Sequence, residues 1–291
     1  QAEHNSVLRP LYRKEKEGAE LTILPADEKG NFSLADMEKA VRQNTTAVIC
    51  THASNVTGNL FPAEEIGNLC RRHGLLFILD ASQSAGEAFI DMQSMHIDVL
   101  CFTGHKGLMA PQGTGGICVD PQVKIPPFKT GGSGILSFDR EHPGCMPEAL
   151  EAGTLNIHGL AGLGAAFDYL RETGLEKIIE HEKRLAKLFY EEVKGIEGVK
   201  VYGDFSTGER TPAVSLNVAG YDSKEAGEIL AGGYQIATRA GVHCAPLIHE
   251  ALGTRERGTL RFSFSWFNTE EEIYKAALAV REIGQEWKYE E

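Results

Sequence analysis

Lys106 sits in Thr103-Gly104-His105-Lys106-Gly107, directly after the apolar run Val99-Leu100-Cys101-Phe102. An earlier apolar run, Phe77-Ile78-Leu79, ends in Asp80-Ala81-Ser82-Gln83-Ser84-Ala85-Gly86. A lysine on a loop can condense with an aldehyde, and an aspartate at a neighbouring strand end can keep a heterocyclic nitrogen protonated. These are the two groups that pyridoxal phosphate (PLP) chemistry requires: a covalent anchor, and a carboxylate that makes the ring an electron sink. Either residue alone reads as a surface lysine or a capping aspartate. Their pairing, in this order, favours the chemical reading.

Such groups must be delivered by a scaffold. Strands are predicted at 21–24, 46–50, 75–79, 98–102 and 115–119, with helices over Leu34 to Val41 and Ala63 to His73 between them. That alternation, with short Gly/Asn/Ser turns, indicates an α/β fold around a mostly parallel sheet. Ligands then sit outside the carboxyl ends of the strands, where Asn55, Asp80 and Lys106 can converge. The opening Glu3-His4-Asn5-Ser6 reads as a loop with no strand before it, so the chain is expected to lack its natural beginning.

After Gly153 a small-residue helix is predicted over Ile157 to Leu170, then a long charged one over Leu175 to Val193. Strands near 212–218, 235–238 and 259–264 and helices near 223–231 and 270–285 follow. The expected division is a large domain over residues 1–173 and a smaller α/β domain over 174–291.

The chain of 291 residues is 42% hydrophobic and 24% charged, a globular composition, and carries a formal net charge of −12. Scattered Lys and Arg on an acidic chain argue against nucleic-acid binding, and no apolar run is long enough to span a bilayer. Six cysteines contain no Cys-x-x-Cys pair, so no metal site is suggested. Free thiols without a secretion signal point to the cytoplasm.

At these motifs the chain resembles the class V, fold-type I PLP-dependent enzymes, most closely the cysteine desulfurase and selenocysteine lyase group. The resemblance runs over essentially the whole chain. It implies that Asp80 pairs with the pyridinium nitrogen and that Gln83 and Asn55, in His52-Ala53-Ser54-Asn55-Val56-Thr57-Gly58, reach the phenolic oxygen. His4 resembles the histidine that stacks on the ring and moves protons. Thr103 and His105 resemble phosphate ligands. Glu151-Ala152-Gly153-Thr154 resembles a segment that donates Thr154 to the phosphate of a neighbouring subunit, implying a homodimer. A plain N-cap before the helix near Gly159 is the competing reading of that segment. The Ala110 to Gly116 stretch reads equally as a tight structural turn.

Arg239-Ala240-Gly241-Val242-His243-Cys244-Ala245-Pro246 resembles the short active-site cysteine loop of the second desulfurase group. Between His243 and a predicted helix start, Cys244 is expected to gain thiolate character and act as a nucleophile. Val242 stands where the family often has a second histidine. Arg261, among apolar residues of a predicted strand, needs a partner. The resemblance makes that partner the substrate α-carboxylate, with Arg239 a second candidate; a salt bridge to an acid of this Glu-rich region is the alternative. The family's helix-N-terminal phosphate cradle has no counterpart here, so weak PLP retention is expected.

The implied activity is conversion of L-cysteine to L-alanine with a persulfide on Cys244, handed to a sulfur-acceptor protein. Selenocysteine lyase and class V aminotransferase are the enzymatic alternatives. A sulfur carrier or degenerate scaffold is the non-enzymatic one.

Overall fold

The computed structural model describes residues 1–286. Three parallel strands, β1 (Ala47–Thr51), β2 (Leu76–Asp80) and β3 (Val99–Thr103), lie side by side, and β4 (Gly115–Val119) closes the sheet antiparallel to β3. The register sets Thr51 beside Asp80 and Asp80 beside Cys101, so the ends of these strands share one edge. Between β1 and β2 runs α3 (Ala63–His73), with Glu64 and Glu65 in its first turn and Arg71, Arg72 and His73 in its last. This charge order complements the helix dipole, and Gly74 ends the helix at φ 66°. Phe77 and Leu79 of β2 and Ile66 and Leu69 of α3 fill the core beneath the sheet.

A second sheet has the order β5-β6-β8-β7, antiparallel throughout: β5 (Val199–Tyr202), β6 (Ala213–Val218), β8 (Thr259–Ser263) and β7 (Arg239–Gly241). Helices α5 (Leu175–Val193), α6 (Ser223–Tyr234) and α8 (Glu270–Glu286) contribute to its core. Leu185, Ala186, Phe189 and Val193 recur at helical spacing on α5 and are fully buried. Phe189 packs its ring 4.5 Å from that of Phe262, and burying such a side chain contributes roughly 2–3 kcal/mol. Asp222 and Glu225 form a capping box at the start of α6. Gly174 (φ 92°) separates α5 from α4 (Ile157–Thr173) before it.

The strand pattern departs from expectation at four places. Residues 5–16 form a helix, α1 (Asn5–Lys16), because His4 caps it with its own ring: Nδ1 accepts the Ser6 N–H at 3.0 Å. Residues 21–24 join no sheet; Leu24 offers its carbonyl to the Gln1 amine at 2.8 Å, and Gln1 Oε1 takes the Ala26 N–H. Gln235 ends α6 in the left-handed region (φ 58°), which delays the expected strand at 235–238 to Arg239. β5 had no counterpart in the sequence reading, because it is only four residues long and follows a turn. Residues 287–291 of the expected second domain lie outside the described residues.

Candidate active site

Asp80 is the last residue of β2 and is 8% exposed. Its Oδ1 accepts the Ser82 N–H at 2.9 Å, which fixes the carboxylate at the strand end. One strand over, the β3–β4 turn carries Lys106, with Met109 N–H closing onto the Lys106 carbonyl at 2.8 Å. Lys106 is exposed on that turn. Desolvation holds its pKa below the lysine range; the positive charges of Arg261 and Arg239 add to this, while Asp80 and Glu87 oppose it. A lysine with a lowered pKa is a better nucleophile and base at neutral pH.

The turn carrying Lys106 is packed against the Asp80 motif. Gly86 (φ 87°) lies so close that a Cβ there would meet the Gly107 carbonyl carbon and oxygen at 2.4 Å. Only glycine satisfies both that contact and that backbone conformation.

His4 is the residue before α1. Its pKa is lowered by burial and then by Lys106, with Asp80 pulling the other way, so the ring shares their field. Because Nδ1 accepts a backbone N–H, the ring proton resides on Nε2. Glu3 beside it donates nothing: Oε1 accepts the Thr51 N–H at 2.7 Å, and Oε2 is buried with no partner. Burial, reinforced by Asp80, pushes the Glu3 carboxyl up to about 7. A cavity of about 540 Å³ lies beyond Glu3, lined by Leu8, Met37 and Cys50 but by neither Asp80 nor Lys106.

Three hydrogen bonds tie the cysteine loop and β8 to α1 and to the loop after β1. Asn55 Nδ2 donates to the His243 carbonyl at 2.7 Å, Asn5 N–H to the Cys244 carbonyl at 2.7 Å, and Arg261 Nη1 to the Asn55 carbonyl at 2.7 Å. His243 (φ 51°) and Cys244 (φ 59°) both adopt left-handed backbone, a strain of the kind that clusters at functional sites. Cys244 is exposed and Arg239 Nη2 lies 3.9 Å from its Sγ.

His243 does not supply the positive charge expected beside the thiol. Its ring is 2% exposed and Nε2 bonds the Thr259 carbonyl at 2.9 Å. Burial, then Arg261, push its pKa down to about 3, so it stays neutral; the cation facing the sulfur is Arg239.

Arg261 is half-buried, and among the described residues no carboxylate forms a salt bridge with it. Its Nε is buried without a partner. Burial lowers its pKa, Arg239 adds to this, and Glu87 opposes it. The guanidinium therefore keeps donors for an outside carboxylate.

The phosphate candidates bond each other, Thr103 Oγ1 to His105 Nδ1 at 2.8 Å. Gln83 is half-buried in the turn after Asp80. Thr154 is exposed and meets none of these residues; the N-cap of the following helix is Asn156, whose side chain accepts the Gly159 N–H at 3.1 Å. Two acids near the site, Glu3 and Glu87, escaped the sequence reading. Glu87 directly follows the Asp80 to Gly86 motif, and that adjacency was the available signal.

The donor set fits PLP: a desolvated amine, a fixed buried carboxylate, an imidazole and a hydroxyl–imidazole pair converge at strand ends. Comparison with known proteins agrees. The chain is 34% identical over 287 residues to a probable cysteine desulfurase of Methanothermobacter thermautotrophicus, covering 97% of this chain and 71% of that protein. A probable cysteine desulfurase of Pyrococcus abyssi is 33% identical over 279 residues, covering 93% and 68%. An apo cysteine desulfurase structure from Thermococcus onnurineus superposes with a TM-score of 0.89 at 32% identity, covering 98% of this chain and 71% of that one. An Escherichia coli cysteine desulfurase in an S-sulfonic acid form gives 0.87 at 25% identity, covering 98% and 70%. The family model for class-V aminotransferases matches residues 1–275, and the chain belongs to that family.

Proposed function

We propose that the protein is a PLP-dependent cysteine desulfurase that turns L-cysteine into L-alanine and keeps the sulfur on Cys244. The observation that carries this reading is the His4–Asn5 step. His4 shares the field of Lys106 and Asp80, and Asn5 N–H holds the Cys244 carbonyl at 2.7 Å. That link supports a base and a sulfur nucleophile acting at one point.

When bound, PLP supplies an aldehyde for covalent capture of the amino acid and a ring that stores an electron pair. Lys106 would anchor it, Asp80 would keep a proton on its ring nitrogen, and Asn55, Gln83, Thr103 and His105 would hold its oxygens. Arg261 grips the substrate carboxylate, with Arg239 close by. Lys106 Nζ removes the α-proton. Cys244 Sγ attacks the substrate sulfur; an S–S bond forms, and the C–S bond breaks with its electron pair going to the β-carbon. Protonation of that carbon completes alanine, and His4, with its ring proton on Nε2, would supply it.

The organisation we propose is two domains divided at Gly174, paired with a second copy that receives Thr154. Phe128, Leu136 and Phe138 are exposed in the segment before Thr154, an apolar surface of the kind a partner covers. The exposed Cys244 leaves room for a sulfur-acceptor protein, and six free cysteines suit the cytoplasm.

Alkylation after exposure to L-cysteine, followed by peptide mass spectrometry, tests the assignment. The Cys244 peptide should gain one sulfur atom. Alanine formation with no added sulfur on that peptide would refute it.

A further inference from the structure

Residues Val242 to Ala245 form a tight turn that presents Cys244. Ala245 N–H closes onto the Val242 carbonyl at 2.9 Å, and the two central residues, His243 (φ 51°) and Cys244 (φ 59°), are both left-handed. Turns with positive φ at both central positions are dominated by glycine, asparagine and aspartate, because other side chains crowd the backbone there. A His-Cys pair has no such preference, so contacts from outside the turn must hold it. The effect of the turn is to lift Cys244 out between two buried neighbours, His243 and Ala245.

The His243 ring supplies such a contact. A carbonyl can only accept, so Nε2, 2.9 Å from the Thr259 carbonyl, carries the ring proton, with Thr259 Oγ1 a second acceptor at 3.0 Å. Nδ1 is buried and has no partner among the described residues, so the ring's polar hold is at Nε2 alone. Thr259 is a firm anchor: it opens β8, is buried and pairs with Gly241 of β7. Beside it, a Cβ on Gly258 (φ 62°) would meet the Gly241 carbonyl carbon at 2.6 Å, so the two backbones touch where the turn departs. The ring of His249, itself buried and bonded through Nδ1 to Thr254 Oγ1 at 2.7 Å, lies 6.1 Å from the His243 ring at 29°.

We propose that His243 is a positioning residue for the sulfur nucleophile: its ring, bonded to Thr259, keeps the Val242 to Ala245 turn left-handed and Cys244 Sγ presented beside Arg239. Without that bond the two central residues relax toward negative φ, and the Cys244 carbonyl leaves the Asn5 N–H. The hold follows from the geometry of the turn, and its consequence for catalysis rests on Cys244 being the sulfur acceptor.

Asn5 N–H is the direct reporter: a first-turn amide has no partner within its own helix, and its bond here goes to the Cys244 carbonyl. His243→Leu keeps buried bulk and loses the donor. Hydrogen–deuterium exchange of the Asn5 and Ala245 amides, followed by NMR, should speed at least about fivefold, with the amides of β1 to β3 unchanged. His243→Gln carries an N–H near the place of Nε2 and should stay within about twofold of wild type. In PLP-loaded protein given L-cysteine, the sulfur added to Cys244 should fall at least about fivefold in His243→Leu and be restored in His243→Gln. Asn5 and Ala245 amides unmoved by His243→Leu, or moved equally by His243→Gln, overturn the proposal. So does faster exchange across the whole molecule, which would make His243 a plain core residue, or faster exchange with sulfur transfer intact. Wild-type protein that places no sulfur on Cys244 overturns the nucleophile reading beneath the proposal, whatever the amides do.

Discussion

The backbone N–H of Asn5 donates to the carbonyl of Cys244 at 2.7 Å, joining residues at opposite ends of the chain. Asn5 occupies the first position of α1, where a proline is tolerated, and His4 before it already has the extended backbone a proline demands. Asn5→Pro therefore deletes this one donor and little else. Sulfur transfer to Cys244 should fall roughly tenfold, because small misplacements of a nucleophile are costly. Exchange of the substrate α-hydrogen with solvent deuterium, which depends on Lys106, should stay near wild type. Equal losses in both steps would show that the hydrogen bond does not position the loop.

Gly86→Ala tests the contact between the Asp80 motif and the lysine turn. The new methyl would have to displace the Gly107 carbonyl group 2.4 Å away. Alanine production should drop by at least about tenfold, with Lys106 pushed from its place. Unchanged turnover in a folded variant would mean that the turn tolerates movement.

Arg210 is a structural pin between the two parts of the molecule. It is 7% exposed, and its Nη2 donates to the Thr57 carbonyl at 2.7 Å and the Ala213 carbonyl at 2.9 Å, while Nη1 reaches the Asp204 carbonyl at 2.8 Å. Arg210→Leu strands three acceptors and should cost about 3 kcal/mol in urea denaturation. A cost under about 1 kcal/mol would mean that water replaces the guanidinium.

Much of this site was legible from strand ends. Asp80, Lys106 and Asn55 each follow a short apolar run, and a parallel sheet sends such residues to one edge. What could not be read was long-range pairing. The loss of 21–24 to Gln1 hydrogen bonds depends on tertiary placement that no local pattern encodes. His243 illustrates the same limit: its neighbour in sequence is Cys244, yet its ring is spent on Thr259 sixteen residues away.

Glu182 makes stability depend on pH. Burial raises its pKa from about 4.5 to about 7 in the folded protein. Between these values the unfolded chain binds fewer protons than the folded one, so stability falls as pH rises. The full favourable contribution is present below about 4.5 and is lost by about 7, a change of roughly 3 kcal/mol at about 1.4 kcal/mol per unit. Glu182→Gln keeps the bond it accepts from the Trp266 N–H and removes the titration. The wild-type minus variant difference in denaturation free energy should therefore move against the wild type between pH 5 and pH 8. That difference also cancels the opposing titrations of His52 and His243, which are held neutral in the fold. A difference independent of pH would place the Glu182 carboxyl in contact with water.

In the proposed reaction Cys244 takes sulfur from an amino acid activated at Lys106. Alanine release from L-cysteine, with a thiol reductant, by the PLP-loaded protein and its Cys244→Ala variant tests it most directly. Turnover by the wild type that disappears in the variant is the expected result. Alanine released equally by both, or by neither, would contradict a persulfide on Cys244.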